Sequence, residues 1–297
     1  MPARLTAYLP EGAAVERLLE TGDDLQLGRA PPSDMIIDHP SVSRAHARLQ
    51  PDGDTWRVVD LDSKNGSFVD GHPANGEPLP GHAWLRFGDV TCEFQDMDAA
   101  ALQRAREQTA ARRTASTFHQ RRLEEPRPPS ELLQATLAAV LDLAACERGF
   151  LLINEPQGPT VHAWLGLDGD VVSAPAFAGS RGAVDRALRE RRPVVLNEVG
   201  KDAQLAGRAS VIAGGLKALV CLPLVSGDEV LGLAYADSRK PGHAITTLEL
   251  ELLAAFSERA ALWLAARRGE LQVAEAARRM RWPEDLPLAT GAAHDRH

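Results

Sequence analysis

Between residues 52 and 76 the chain carries the dipeptides Asp52-Gly53, Asn65-Gly66, Asp70-Gly71 and Asn75-Gly76, a density of tight turns that long helices cannot accommodate. Asn-Gly and Asp-Gly supply the positive φ that two-residue hairpin turns require. Short alternating segments lie around them: Leu25–Gly28, Ala45–Gln50, Trp56–Asp60, Ser67–Val69, Ala83–Phe87 and Thr91–Gln95. A run of short strands at this spacing predicts an all-β sandwich over residues 1–97.

The pattern changes behind it. Ala, Arg and Gln dominate from Ala99 to Arg113, which predicts an exposed helix, and Pro126, Pro128 and Pro129 break it, so 98–129 reads as a helical, proline-containing linker. The arginines between Arg104 and Arg122 read as a solvated helix face rather than a nucleic-acid or lipid contact. Over 130–267 helix and strand patterns alternate. Ser130 and Ser180 are candidate N-caps, Ser226-Gly227-Asp228-Glu229 a hairpin turn, and Thr246 with Glu249 a capping box for a helix ending near Arg268. That order predicts an α+β domain with helices packed on an antiparallel sheet. Residues 268–297 read as a basic helical continuation that gives way, around Pro283 and Pro287, to a partly disordered tail.

At 297 residues, two domains are the natural expectation. The formal net charge of −8 excludes a general nucleic-acid binder, and no direct nucleic-acid contact is expected. Cys92, Cys146 and Cys221 form no CxxC spacing, so neither a disulfide framework nor a zinc site is predicted. No signal peptide or membrane span is evident, which predicts a cytoplasmic protein without membrane contact. Walker A, HExxH, GxSxG and kinase strings are absent, so the chain reads as no enzyme, with no catalytic or metal residue. Acidic residues such as Asp52, Asp54, Asp60 and Asp62 lack the spacing of a calcium loop.

Three short strings remain: Gly28-Arg29, then Ser41-Val42-Ser43-Arg44-Ala45-His46, then Ser63-Lys64-Asn65-Gly66-Ser67. A phosphate dianion needs several donors in a fixed fork, and these strings offer guanidinium, hydroxyl, ammonium and amide groups on separate loops. Their order resembles the signature of the forkhead-associated (FHA) family, over about residues 4–97. The resemblance implies binding of phosphothreonine peptides, with Arg29, Ser43, Arg44, Lys64 and Asn65 contacting the peptide. Gly28, His46 and Gly66 then support the site. Asp70 stands where the family often has Asn, and Lys64 where some members carry a small hydroxyl residue. Asp34, Asp38, Asp60 and Asp62 are expected to disfavour acidic peptides.

Residues 128–267 resemble a GAF domain, carried by Arg148-Gly149-Phe150-Leu151-Leu152-Ile153, by Leu222-Pro223-Leu224 and by Val230-Leu231-Gly232-Leu233-Ala234-Tyr235. The resemblance implies a small-ligand pocket under a lid at Lys201–Gly215. Its ligand, and any cofactor, is left unknown. Cys146 and Cys221 read as buried structural cysteines rather than chromophore attachment points, and His162 as a structural residue rather than a haem ligand. The family's helices often pair across a two-fold axis, and Ala254, Ala255, Ala260 and Ala261 permit close approach, so a homodimer is expected. The chain is therefore expected to be a non-enzymatic signalling adaptor whose partner is a phosphothreonine protein, a Ser/Thr kinase or its substrate. The alternative is the sensory part of a bacterial transcription regulator of the enhancer-binding type, without its ATPase and DNA-binding output.

Overall fold

A computed structural model describes residues 1–125, 128–167, 181–198 and 215–279. The N-terminal part is two facing sheets. One runs β2-β1-β10-β9-β7-β8, with β1 Ala3–Tyr8, β2 Val15–Leu19, β7 Ser67–Val69, β8 His72–Pro73, β9 His82–Phe87 and β10 Val90–Asp96. The other runs β4-β3-β5-β6, with β3 Leu25–Gly28, β4 Met35–Ile36, β5 Ala47–Asp52 and β6 Thr55–Asp60. Period-2 alternation turns Leu5, Leu27, Leu49, Trp56, Leu85, Phe87 and Phe94 into the space between them, where all are buried. Each such side chain contributes roughly 1.5–3 kcal/mol by leaving water.

The C-terminal part is a five-stranded antiparallel sheet, ordered β12-β11-β15-β14-β13, with β11 Arg148–Glu155, β12 Gly158–Leu165, β13 Val194–Asn197, β14 Ala218–Ser226 and β15 Glu229–Ser238. The same alternation gives it two apolar faces. Leu151, Val220, Leu222, Ala234 and Ala236 pack against helices α2 (Pro129–Leu143) and α4 (Thr247–Arg279), through Leu137, Val140, Leu253 and Phe256. Phe150, Leu219, Cys221, Leu233 and Tyr235 face α3 (Arg181–Glu190), through Ala183 and Ala187.

The helices depart from the sequence expectation in three places. Helix α1 spans Ala99–Leu123, ten residues beyond Arg113, and Leu102, Ser116 and Leu123 on it are buried. It lies against α2 and α4 rather than standing apart, because Leu123 and Ala115 join the core of the C-terminal domain. Ser130 is not a cap: α2 begins at Pro129 with Pro128 in the cap position and no side-chain cap bond, proline's fixed φ and missing N–H suiting a first turn. Helix α4 runs on to Arg279, in line with the helical continuation expected beyond Arg268. Of the capping box, Glu249 accepts from the Thr246 N–H at 2.9 Å. Ser180, the lid residues 201–214 and the tail from 280 lie outside the described residues.

The two parts are joined by more than the chain. The β1–β2 loop enters the C-terminal domain, where Ala13 and Ala14 are buried. The Gly12 N–H donates to the Val195 carbonyl at 3.2 Å and the Ala14 N–H to Ile245 at 2.9 Å, while the Thr247 N–H returns a bond to Ala14 at 2.8 Å. Asn197 closes the seam, accepting from the Ile245 N–H at 2.9 Å and donating to the Gly12 carbonyl at 3.5 Å. Arg186 pairs with Glu11 at 2.7 Å, Arg106 with Glu20, and Arg112 of α1 with Glu249 of α4.

Candidate functional site

The three strings identified in the sequence come together at one end of the sandwich. Gly28 closes β3, and a Cβ there would fall 2.1 Å from the Arg44 carbonyl oxygen and 2.6 Å from Ser33 Oγ, so a side chain at this position would push the β4–β5 loop away. With the loop seated, the Arg29 N–H donates to the Ser43 carbonyl at 2.8 Å. Arg29, Arg44 and Lys64 are exposed, and with Ser43 they line one cleft of about 560 Å³. None of the three cations has an ion pair or side-chain hydrogen bond among the described residues. Three uncompensated positive charges around one hydroxyl form an anion site by simple electrostatics.

The polarity of Ser43 is fixed by its neighbours. Its Oγ accepts from the Lys64 N–H at 3.0 Å, which leaves the hydroxyl proton to donate into the cleft. Beneath it His46 is buried and holds two loops. Nδ1 accepts from the Ser43 N–H at 2.9 Å, and Nε2 donates to the Gly66 carbonyl at 3.1 Å. The proton therefore sits on Nε2. Burial lowers the His46 pKa, against the opposing pull of the Gly66 carbonyl and of Asp60, so the ring is neutral as a brace should be.

Asn65 is exposed at the rim, and its amide nitrogen donates to the Ser41 carbonyl at 2.7 Å. Gly66 follows with φ of 76°, a left-handed turn that glycine allows. Asp70 has φ of 47° and its Oδ1 accepts from the Trp84 N–H at 2.9 Å, so it secures the hairpin below the site.

Sequence reasoning passed over a second layer. Asp60, expected as part of an acidic surround, turns inward: Oδ2 accepts from Ser67 Oγ at 2.5 Å and Ser63 Oγ at 2.7 Å, and Oδ1 from the Ser63 N–H at 2.8 Å. Burial acts to raise its pKa, but these hydrogen bonds outweigh it and hold the carboxyl below its ordinary value. Asp34 is likewise engaged, by the Gln26 N–H at 2.9 Å. Ser41 is buried; its Oγ accepts from the Asp89 N–H at 2.8 Å and lies 2.7 Å from His39 Nδ1. The signal for Asp60 was its place three residues before Ser63, the spacing at which a capping Asp side chain accepts from a backbone N–H.

In the C-terminal domain Cys146 and Cys221 are buried and desolvation raises both thiols. His162 pairs with Glu155 at 2.9 Å on the edge strand. A cleft of about 440 Å³ opens between the β11–β12 hairpin, α2 and α4, with Leu133, Ile153, Leu231 and Trp263 in its wall. Its rim cations Arg267 and Arg268 are already paired with Glu270 and Glu229.

Comparison with known proteins agrees with this geometry. An FHA domain model matches residues 25–90, and a GAF domain model matches 128–264. An oxoglutarate dehydrogenase inhibitor from Corynebacterium jeikeium is 34% identical over 96 residues, covering 29% of this chain and 67% of that protein. The chain belongs to the FHA family. A glycogen accumulation regulator from Mycolicibacterium smegmatis is 33% identical over 96 residues, 29% of this chain and 61% of the relative. An FHA domain from Chlamydia trachomatis, 24% identical, covers 33% of this chain and 100% of its own, with a TM-score of 0.31. The FHA sandwich is followed here by a GAF domain with its antiparallel sheet and flanking helices.

Proposed function

We propose that this protein is a non-enzymatic adaptor that binds phosphothreonine in a partner, a Ser/Thr kinase or its substrate, through Arg29, Ser43, Arg44, Lys64 and Asn65. The observation that carries the reading is the cleft in which three cations, unpaired among the described residues, surround a hydroxyl that accepts from the Lys64 N–H and so keeps its own proton to donate. Gly28, His46 and Gly66 hold that cleft open, and the cytoplasm is where such a reader would meet kinases. The relatives' names fit a module that acts by binding, since one is an inhibitor of a dehydrogenase and the other a regulator of glycogen accumulation. Residues 1–97 would form the reader and 130–267 the GAF unit, with α1 packed between them.

The GAF unit supports self-association. Ala260 and Ala261 are buried in the domain's own core and are not available for it. A different face of α4 is. Ala255, Arg259, Leu262, Ala266, Gly269 and Val273 follow each other at alternating steps of four and three, and Leu262 and Val273 are 64% and 70% exposed. That spacing is the seam of a two-stranded coiled coil, so the second copy pairs along α4.

Calorimetry with a degenerate phosphothreonine peptide library tests the central reading. Micromolar binding that needs both the phosphate and Arg29 is the expected result. Folded protein that binds no peptide in a phosphate-dependent way, or binds equally well as Arg29→Ala, overturns it.

A further inference from the structure

The end of the sandwich that carries Arg29 and Ser43 is also the end on which the GAF domain sits. Strand β1 finishes at Tyr8, paired with Thr91 at the start of β10. The β9–β10 turn just before it, Gly88-Asp89, packs on the phosphate-site loops. Gly88 has φ of 60°, and a Cβ there would fall 2.4 Å from the Ser41 carbonyl oxygen. Its N–H donates to the Gly66 carbonyl at 3.1 Å, and the Asp89 N–H to Ser41 Oγ at 2.8 Å. Beyond Tyr8 the chain enters the β1–β2 loop, which Asn197, Val195, Ile245 and Thr247 hold in the GAF domain. One short run of hydrogen-bonded backbone thus reaches from Asn197 to Ser41.

We propose that phosphopeptide binding and the docking of the β1–β2 loop on the GAF domain regulate each other through the β9–β10 turn. The proposal rests on the phosphopeptide reading above. Its motive contact is Asn65. In the unliganded protein the Asn65 amide belongs to the Ser41 carbonyl. The amide carries a second N–H and an oxygen that a peptide backbone can engage, and a peptide that turns the side chain away from the Ser41 carbonyl to reach them withdraws a donor from Ser41, the residue on which Gly88 and Asp89 rest. The turn then settles differently, and Tyr8 and the loop after it follow. A ligand shifts an equilibrium only by its differential interaction with the two states, and the exchange of Asn65 between Ser41 and peptide is such a difference. By linkage, loosening the loop on the GAF side changes peptide affinity by the factor with which peptide changes docking. The GAF domain would then control how well its neighbour reads phosphothreonine.

Amide hydrogen exchange on the full chain tests this, with a phosphothreonine peptide chosen by the library above as the probe. Saturating peptide is expected to change exchange at Gly12, Ala14 and Thr247 by threefold or more, and the unphosphorylated peptide to leave it alone. Asn197→Ala, which removes the clamp, is expected to shift peptide Kd by at least threefold. Arg186→Ala, which removes the exposed pair with Glu11, is expected to shift it in the same direction by less, and serves if Asn197→Ala folds poorly. Peptide that binds with unchanged junction exchange and equal Kd in both variants overturns the coupling while leaving the reader intact. Absence of any phosphate-dependent binding overturns the reader, and the coupling with it.

Discussion

The side-chain amide of Asn65 donates to the backbone carbonyl of Ser41 at 2.7 Å, tying the β6–β7 loop to the β4–β5 loop across the mouth of the cleft. Asn65 therefore has two tasks for one side chain: through one N–H it holds the loops, and in the proposed complex its second N–H or its oxygen holds the peptide. Asn65→Ala is expected to lower stability by about 1 kcal/mol, the net worth of one hydrogen bond, and to weaken phosphopeptide binding tenfold or more. Chemical denaturation and calorimetry read the two effects separately. Unchanged affinity in a folded variant would leave Asn65 a purely architectural residue.

Gly28 makes a prediction of another kind, because its role is space. The Cβ of an alanine would overlap Ser33 Oγ and the Arg44 carbonyl to which it donates, and that carbonyl cannot yield without moving the β4–β5 loop. Gly28→Ala is expected to cost about 1–3 kcal/mol, the usual range for overpacking, and to abolish phosphopeptide binding even where the protein remains folded. Thermal unfolding with a binding assay on the folded fraction checks both. Full binding by the variant would mean that the loop tolerates displacement.

What was legible beforehand follows from what leaves a local mark. Asn-Gly and Asp-Gly turns are local chemistry, and the strands at Leu25–Gly28 and Ser67–Val69 fell where the pattern placed them. The site strings could be picked out because each is contiguous, although the structure uses them over long range: Gly28 meets the Arg44 carbonyl, Ser43 the Lys64 N–H and His46 the Gly66 carbonyl. The contribution of α1 left no such mark. Its Ala and Arg composition reads as a solvated helix, and the burial of Leu102, Ser116 and Leu123 depends on partners far away in sequence. The β1–β2 loop was equally silent, since nothing in Gly12-Ala13-Ala14 announces an acceptor at Val195 or Ile245. The bracing role of Asp60 was missed because a carboxylate on a surface turn and one that receives three serine donors look alike in sequence.

His46 gives the fold a pH dependence of definite sign. Its pKa is lowered in the folded protein, chiefly by burial, so the unfolded chain takes up the proton first. The contribution to stability is full above the unfolded value of about 6.5 and is lost as pH falls toward the lower folded value. His243 in the GAF domain is also lowered, again chiefly by burial, and contributes in the same window. His46→Gln, which cannot titrate, is expected to be less stable at pH 7.5 by about 1–3 kcal/mol through its lost hydrogen bonds. Its stability should fall less steeply than the parent's between about pH 7 and 5. Denaturant titrations across that range supply the slopes, and parallel slopes would remove His46 from the linkage.

The ion pair between Arg112 and Glu249 is where α1, α4 and the β1–β2 loop meet, and it is lopsided. The Glu249 side chain is 1% exposed, the Arg112 side chain 37%. The carboxylate also accepts from the N–H and the hydroxyl of Thr246, so α1 and the N-terminus of α4 share one charge. Removing Arg112 would leave that carboxylate buried with the Thr246 donors but no counter-charge. Arg112→Ala is therefore expected to cost about 3 kcal/mol, the lower end for breaking a buried pair because the arginine is partly solvated. Adding Glu249→Gln removes the stranded charge while keeping an acceptor for Thr246, and is expected to recover part of the loss. A double-mutant cycle should then give a coupling energy of at least about 1 kcal/mol. Additivity within about 0.5 kcal/mol would mean that water already compensates Glu249. The junction would then be held without this pair, by the backbone bonds of Gly12, Ala14 and Thr247, by Asn197 and by the Arg186–Glu11 and Arg106–Glu20 pairs.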